Sequence, residues 1–103
     1  MLKSNDTLAR DRISQVYLGL INDPDSQERA IARVNWIIDQ VDSSTALDVG
    51  CSKGIVPILL GRKGIDVTGI DINKESLDFA NNLLSKEKSI IQKRVRFICG
   101  NIL

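Results

Sequence analysis

Histidine is absent from all 103 residues of this sequence. That removes the commonest general base and the commonest metal ligand, and it excludes a complete Ser-His-Asp or Cys-His catalytic site within the chain. Cysteine is nearly as scarce: Cys51 and Cys99 make neither a CxxC pair nor a ligand cluster, so no metal site is expected. Long apolar runs are missing too. The longest span five or six residues, against the roughly 20 that cross a bilayer, so no membrane partner is expected. The opening MLKSNDTLARDR lacks an apolar leader core, which makes the cytoplasm the expected compartment. Net charge is also lacking. Fourteen basic residues face thirteen acidic ones, and no global field indicates nucleic acid.

What is present suits one small soluble domain with a thin core, at 43% hydrophobic and 26% charged residues. Residues 1–43 read as a helical segment. A first helix is expected over 6–21, with Leu8, Ile13, Val16, Tyr17 and Leu20 on one face, interrupted at Asn22-Asp23-Pro24-Asp25. A second is expected over 26–41, opened by Asp25 or Ser26, with Ile31, Val34, Ile38 and Val41 inward.

Then the period changes. Thr45–Val49 is a short apolar run followed by a glycine turn, which suits a buried parallel strand. A helix is expected over 53–62, starting near Lys53 so that Pro57 lies in its first turn. Residues 66–70 read as a second strand. Asn73 caps the next helix, with Ile72 and Leu77 placed for a hydrophobic staple and Leu77, Ala80 and Leu84 inward. Residues 95–99 make a third strand. Two leading helices and β-α-β-α-β define an α/β pattern with a three-stranded parallel sheet in the order 3-2-1, half of a doubly wound sheet.

The segment most informative about function is Ala46-Leu47-Asp48-Val49-Gly50-Cys51-Ser52-Lys53-Gly54, where a strand runs through a small-residue turn into a helix. Gly50 and Gly54 lack a Cβ, so a ligand can approach, and a helix start offers N–H groups. The dinucleotide fingerprint would need small residues at 50, 52 and 55, and Ile55 breaks it. A phosphate-binding P-loop fails because no Gly-Lys-Ser/Thr follows at the required spacing.

The spacing acid-x-Gly-x-Gly-x-Gly resembles motif I of the class I, Rossmann-like S-adenosylmethionine-dependent methyltransferases. Asp48, Gly50 and Gly54 match it, with Ser52 at the middle glycine and Cys51 in a variable slot of the cofactor loop. The resemblance implies that this loop lies against the methionine part of the cofactor and that Asp48 helps hold its amino group. Val67-Thr68-Gly69-Ile70-Asp71, ending 23 positions after Asp48, is similar to the family's second strand, whose final acid grips both ribose hydroxyls. A carboxylate suits that task because its two oxygens accept two hydrogen bonds from a cis-diol. Ile72 matches the apolar residue on the adenine. Phe97-Ile98-Cys99-Gly100-Asn101-Ile102 resembles the motif ending strand three, with Asn101 where an acid is usual, placed to meet the adenine amine.

Plainer explanations exist for each feature: a tight turn at Gly50–Gly54, a capping carboxylate at Asp71, an ordinary turn at Asn101. Trp36, Phe79, Phe97 and Tyr17 read as core or helix-face residues. The basic run Lys86, Lys88, Lys93, Arg94 and Arg96 reads as a solvated helix end. Cys51 and Cys99 are not expected to bond, because strand two separates them by about twice 4.8 Å, beyond the usual span of about 4.4–6.8 Å.

The resemblance covers residues 44–103 and stops after strand three, so a truncated cofactor-binding half-domain is expected, inactive by itself. Neither a catalytic residue nor the methyl acceptor is identified. A non-catalytic Rossmann-like binding module is the alternative. The two crossover helices fall on one sheet face, leaving the other bare, so a homo-oligomer is expected of a chain this short.

Overall fold

The structure, a computed structural model, describes residues 12–101. Its elements are α1 (Arg12–Tyr17), α2 (Pro24–Gln40), β1 (Thr45–Val49), α3 (Ile55–Lys63), β2 (Asp66–Asp71), α4 (Lys74–Ser85), α5 (Ser89–Gln92) and β3 (Val95–Cys99). The chain divides into two compact units between Ile37 and Ile38. No helix among the described residues is long and apolar enough to cross a membrane.

In the first unit, α1 stops at Tyr17 rather than at 21. Gly19, at φ 74°, closes it: the amides of Gly19 and Leu20 donate back to the Val16 and Gln15 carbonyls at 3.1 and 2.9 Å. Leu20 is therefore beyond the helix and exposed, not on its inward face. The expected stretch from residue 6, with Leu8, and the Ile13 side chain lie outside the described residues. Helix α2 starts at Pro24, two residues before the expected start at 26, and neither Asp25 nor Ser26 is the cap. Asp23 is: its carboxylate accepts from the Ser26 amide at 3.2 Å and the Ser26 hydroxyl at 2.7 Å. Pro24 occupies the first helical position, where its missing N–H has no partner to lose. Val34 is buried, but Ile31 is exposed, against the expected inward face; Trp36 is an exposed helix-face residue, not a core one.

In the second unit, β2 is the central strand, paired in parallel with β1 on one side and β3 on the other. The register puts Ala46, Val67 and Val95 in one row and Asp48, Gly69 and Phe97 in the next, all on the same face. Helices α3, α4 and α5 cover that face. Ile58, Leu84 and Val95 form one cluster, joined by Leu83, Ile91 and Phe97. Leu60, Ile65 and Val67 form another, joined by Ile38, Val41, Ala46 and Val56. Val67 is fully buried. Each such aliphatic side chain contributes about 1.5–3 kcal/mol.

The opposite face is bare within this unit. Leu47, Val49 and Ile98 are 57%, 54% and 49% exposed. Only its strand-start end is polar, where Arg96 bonds Asp66 at 2.6 Å and the Thr68 hydroxyl at 3.2 Å. Arg94 also leaves the expected solvated run: it donates to the Gly61 carbonyl at 3.2 Å. Helix α5 was not legible in the sequence, since a single turn shows no period, yet its Ile91 packs against the core.

Helix α3 begins at Ile55, two residues after the expected Lys53, and Pro57 falls third, still within the first turn. Arg62 grips Glu87 with two bonds of 2.7 Å, tying α3 to the end of α4. That bond holds the Glu87 carboxyl below the usual carboxylate range. Lys63 donates to the carbonyls of Ile38 at 3.0 Å and Val41 at 2.7 Å, closing the end of α2.

Gly61 is where α3 approaches the sheet most closely; a Cβ there would lie 2.5 Å from Cγ2 of buried Val95. Gly61→Ala is expected to destabilise the protein by about 1 kcal/mol, the overpacking cost exceeding the gain in helix propensity. A lowered urea midpoint at unchanged slope checks this.

Candidate functional site

The C-terminal ends of three parallel strands meet at one end of the sheet, where open α/β sheets bind ligands. The loop after β1 is drawn onto the end of β2. Gly50 and Cys51 both donate to the Ile70 carbonyl, at 2.7 and 3.1 Å, and Ser52 donates to the Asp71 carboxylate at 2.8 Å. The end of β3 joins through Gly100, whose amide donates to the Asp71 carbonyl at 3.0 Å. Asp48, Gly50, Ser52, Asp71, Ile72 and Asn101 thus come from three strand ends into one neighbourhood.

The two glycines of the loop do different work. Gly50 has φ 77° and nothing within 4 Å of a Cβ built on it, so its open side is where a ligand can come close. Gly54 is buried, at φ 81°, and a Cβ there would meet Phe97 Cζ at 2.6 Å and Ala80 Cβ at 2.7 Å. Its missing Cβ lets α3 and β3 pack. The side opened by its missing Cβ is filled by Phe97 and Ala80, whereas that of Gly50 is open.

Cys51 sits between the two glycines in the loop. Its side chain is buried under the loop beside Gly69, whose missing Cβ would otherwise lie 2.9 Å from the sulfur. Burial first, then the charges of Asp48 and Asp71, push the thiol up to about 12. The thiol is directed at the Ser52 carbonyl, 4.0 Å away, and is no nucleophile at neutral pH. Cys99 is exposed, and both cysteines are free.

Asp71 uses both carboxylate oxygens. One accepts from Ser52 and the other from the Asn73 amide, each at 2.8 Å. Asn73 accepts from Ser76 N–H at 2.9 Å, making the expected cap. The staple beside it does not form: Leu77 is buried, while Ile72 is 70% exposed at the mouth of the site. Asn101 lies just past β3 and is exposed. Sequence reasoning missed Lys53, whose ammonium sits 5.4 Å above the Phe79 ring and ties the loop to α4. It also missed that Ser52, where the motif usually has glycine, adopts a left-handed φ of 52°. The motif's own glycine at that position was the available signal.

Asp48 is half-buried on the helix-covered face, and burial first, then the charge of Asp71, raises its pKa above the ordinary 3.8. Ionised Asp48 therefore costs stability. In the window from 3.8 upward the folded state binds the extra proton, so this contribution falls as pH rises through the raised pKa. Asp48→Asn is expected to raise the thermal midpoint at pH 7, with the gain shrinking as pH falls and the wild-type carboxyl protonates. Thermal scans of both proteins across pH check the sign.

Residues 46–103 match the family model described as a methyltransferase domain. The ubiquinone biosynthesis O-methyltransferase of Psychrobacter arcticus is 45% identical over 82 residues, covering 63% of this chain and 31% of that enzyme. The magnesium-protoporphyrin O-methyltransferase of Rhodobacter capsulatus is 27% identical over 96 residues, covering 93% of this chain and 41% of that one. Among solved structures, the tRNA (uracil-54, C5)-methyltransferase of Pyrococcus abyssi, in complex with S-adenosyl-L-homocysteine, superposes with a TM-score of 0.63 at 21% identity, over 73% of this chain and 18% of that one. The chain spans less than half the length of the curated relatives it matches. It belongs to the methyltransferase-domain family, with the Rossmann-like α/β architecture of its class I members.

Proposed function

We propose that this chain binds S-adenosylmethionine and forms the cofactor-holding part of a methyltransferase. The observation that carries this reading is the state of Asp71. Its carboxylate has about four lone-pair sites, of which two accept backbone amides and two remain for the two hydroxyls of a ribose. Beside it, Ile72 offers an exposed aliphatic face for the adenine, and Asn101 an amide for its exocyclic amine. Gly50 gives open backbone to the methionine part. Asp48 suits the cofactor's ammonium, because a positive charge there offsets both its burial and the repulsion from Asp71. The bound cofactor supplies a methyl group activated by its own sulfonium. The work of these residues is to orient that group and exclude water behind it. Free cysteines are in keeping with the cytoplasm as the compartment.

Calorimetry with S-adenosylmethionine, S-adenosylhomocysteine and NAD tests the assignment; both sulfur nucleosides are expected to bind. NAD binding with neither of them would overturn it. Asp71→Ala is expected to cost more cofactor affinity than any other single truncation, about 1.5–3 kcal/mol, or roughly ten- to a hundredfold.

The bare sheet face belongs to the same proposal. Val49, Ile70 and Ile98 line its strand-end row with Leu47 in the row before, and a second copy would cover them by twofold pairing. Light scattering over a dilution series is expected to show a dimer or larger. A cooperative monomer at micromolar concentration would contradict this.

A further inference from the structure

Among the described residues Ser52 is the one non-glycine with a left-handed backbone. An L-residue resists that conformation because its Cβ crowds the following carbonyl, so something must hold it. The holder is the bond from the Ser52 amide to Asp71, 19 positions away and 2.8 Å long. A bond from an amide to a charged acceptor is among the stronger kinds and is large enough to offset the crowding. The neighbouring amides of Gly50 and Cys51 go to the Ile70 carbonyl, a backbone atom that no side-chain change removes. Of these three amides only that of Ser52 goes to a side chain, and that side chain is the proposed ribose ligand.

We infer that Asp71 is a positioning residue for the glycine loop as well as a ligand of the cofactor, and that it couples the two ends of the site. This rests on the cofactor reading above. The loop amide and the Asn73 amide grip opposite oxygens and fix the plane of the carboxylate before any diol arrives. A diol in turn holds the carboxylate in the orientation that receives the Ser52 amide. By reciprocity, order at the methionine end strengthens binding at the nucleoside end by the same factor as the reverse.

Adenosine separates the two roles, since it carries the ribose and lacks the amino-acid part that meets the loop. In the wild-type chain, adenosine is expected to slow hydrogen exchange of the Ser52 amide by about tenfold, although it does not reach the loop. In Asp71→Ala both acceptor oxygens are gone, so without ligand the Ser52 amide is expected to exchange about tenfold faster, while amides of β2 keep their protection. The same variant is expected to lose about fivefold more affinity for S-adenosylhomocysteine than for adenosine. Adding Ser52→Gly removes the crowding and is expected to restore that extra loss but not the loss on adenosine. Equal losses on both ligands, or Ser52 exchange indifferent to adenosine in the wild type, would reduce Asp71 to a ribose ligand. If the wild type bound neither nucleoside, the cofactor reading would fail, and the ligand-free exchange rates would still decide whether Asp71 holds the loop.

Discussion

Parallel strands cannot be joined by a hairpin. The chain must cross over one face of the sheet, and chirality makes that crossover right-handed. Because β1, β2 and β3 follow one another in the same direction across the sheet, both crossovers land on the same face. Much of the second unit depends on this. The face that receives α3 and α4 becomes the core, centred on Val67 in the middle strand and Val95 beside it. All three strands finish at one end, which brings together residues far apart in sequence. Asp48 and Asp71 project from that end on the helix-covered face, where Asp48 is half-buried and the charge of Asp71 acts on it. The crossover rule thereby sets both where the site lies and why Asp48 is electrostatically burdened.

That burden has a counterpart elsewhere in the unit. Glu87 is held ionised by Arg62, so its contribution to stability is present above the usual carboxylate range and is lost as pH falls. Asp48 acts with the opposite sign: ionisation works against folding, and acid relieves it. The difference is one of pairing. Glu87 meets a guanidinium on the surface, while Asp48 faces another acid in a half-buried place. An arrangement that costs stability without a ligand is expected where the ligand brings the missing charge.

The elements of this unit were legible because their signals were strong and local: the short apolar strands, the glycine turn, the Asn73 cap with Leu77, Ala80 and Leu84 at helical spacing. Helix ends were less so. Pro24 reads as an interruption until Asp23 is seen to cap the helix it begins. Gly19 carries no mark in the sequence of the left-handed turn that ends α1. The site was legible as a set of residue types, since spacing alone brings Asp48, Gly50, Asp71, Ile72 and Asn101 to strand ends. What each residue does there was not. Cys51 and Gly54 occupy slots in a ligand loop, yet one packs its thiol under the loop and the other makes room for Phe97 and Ala80. Such distinctions depend on distances of a few tenths of an ångström between elements, and no one-dimensional pattern encodes them.

The second sheet face follows from the same geometry. A strand covered on both sides is apolar at consecutive positions, whereas a strand facing water alternates. Here the two patterns divide each strand across its length. Near the strand starts, Asp66, Thr68 and Arg96 satisfy one another in a polar group that tolerates water. Leu47 already lies in the row of Thr68 and Arg96, and in the next row Val49, Ile70 and Ile98 make the face wholly apolar directly behind the residues of the site. Solvation needs no such gradient, and core packing within the unit does not use it. It suits a layer lying against the far side of the sheet at the ligand end only. Such a layer would stiffen the strand ends from which Asp48 and Asp71 project, and a carboxylate grips a diol well only when the backbone beneath it does not move.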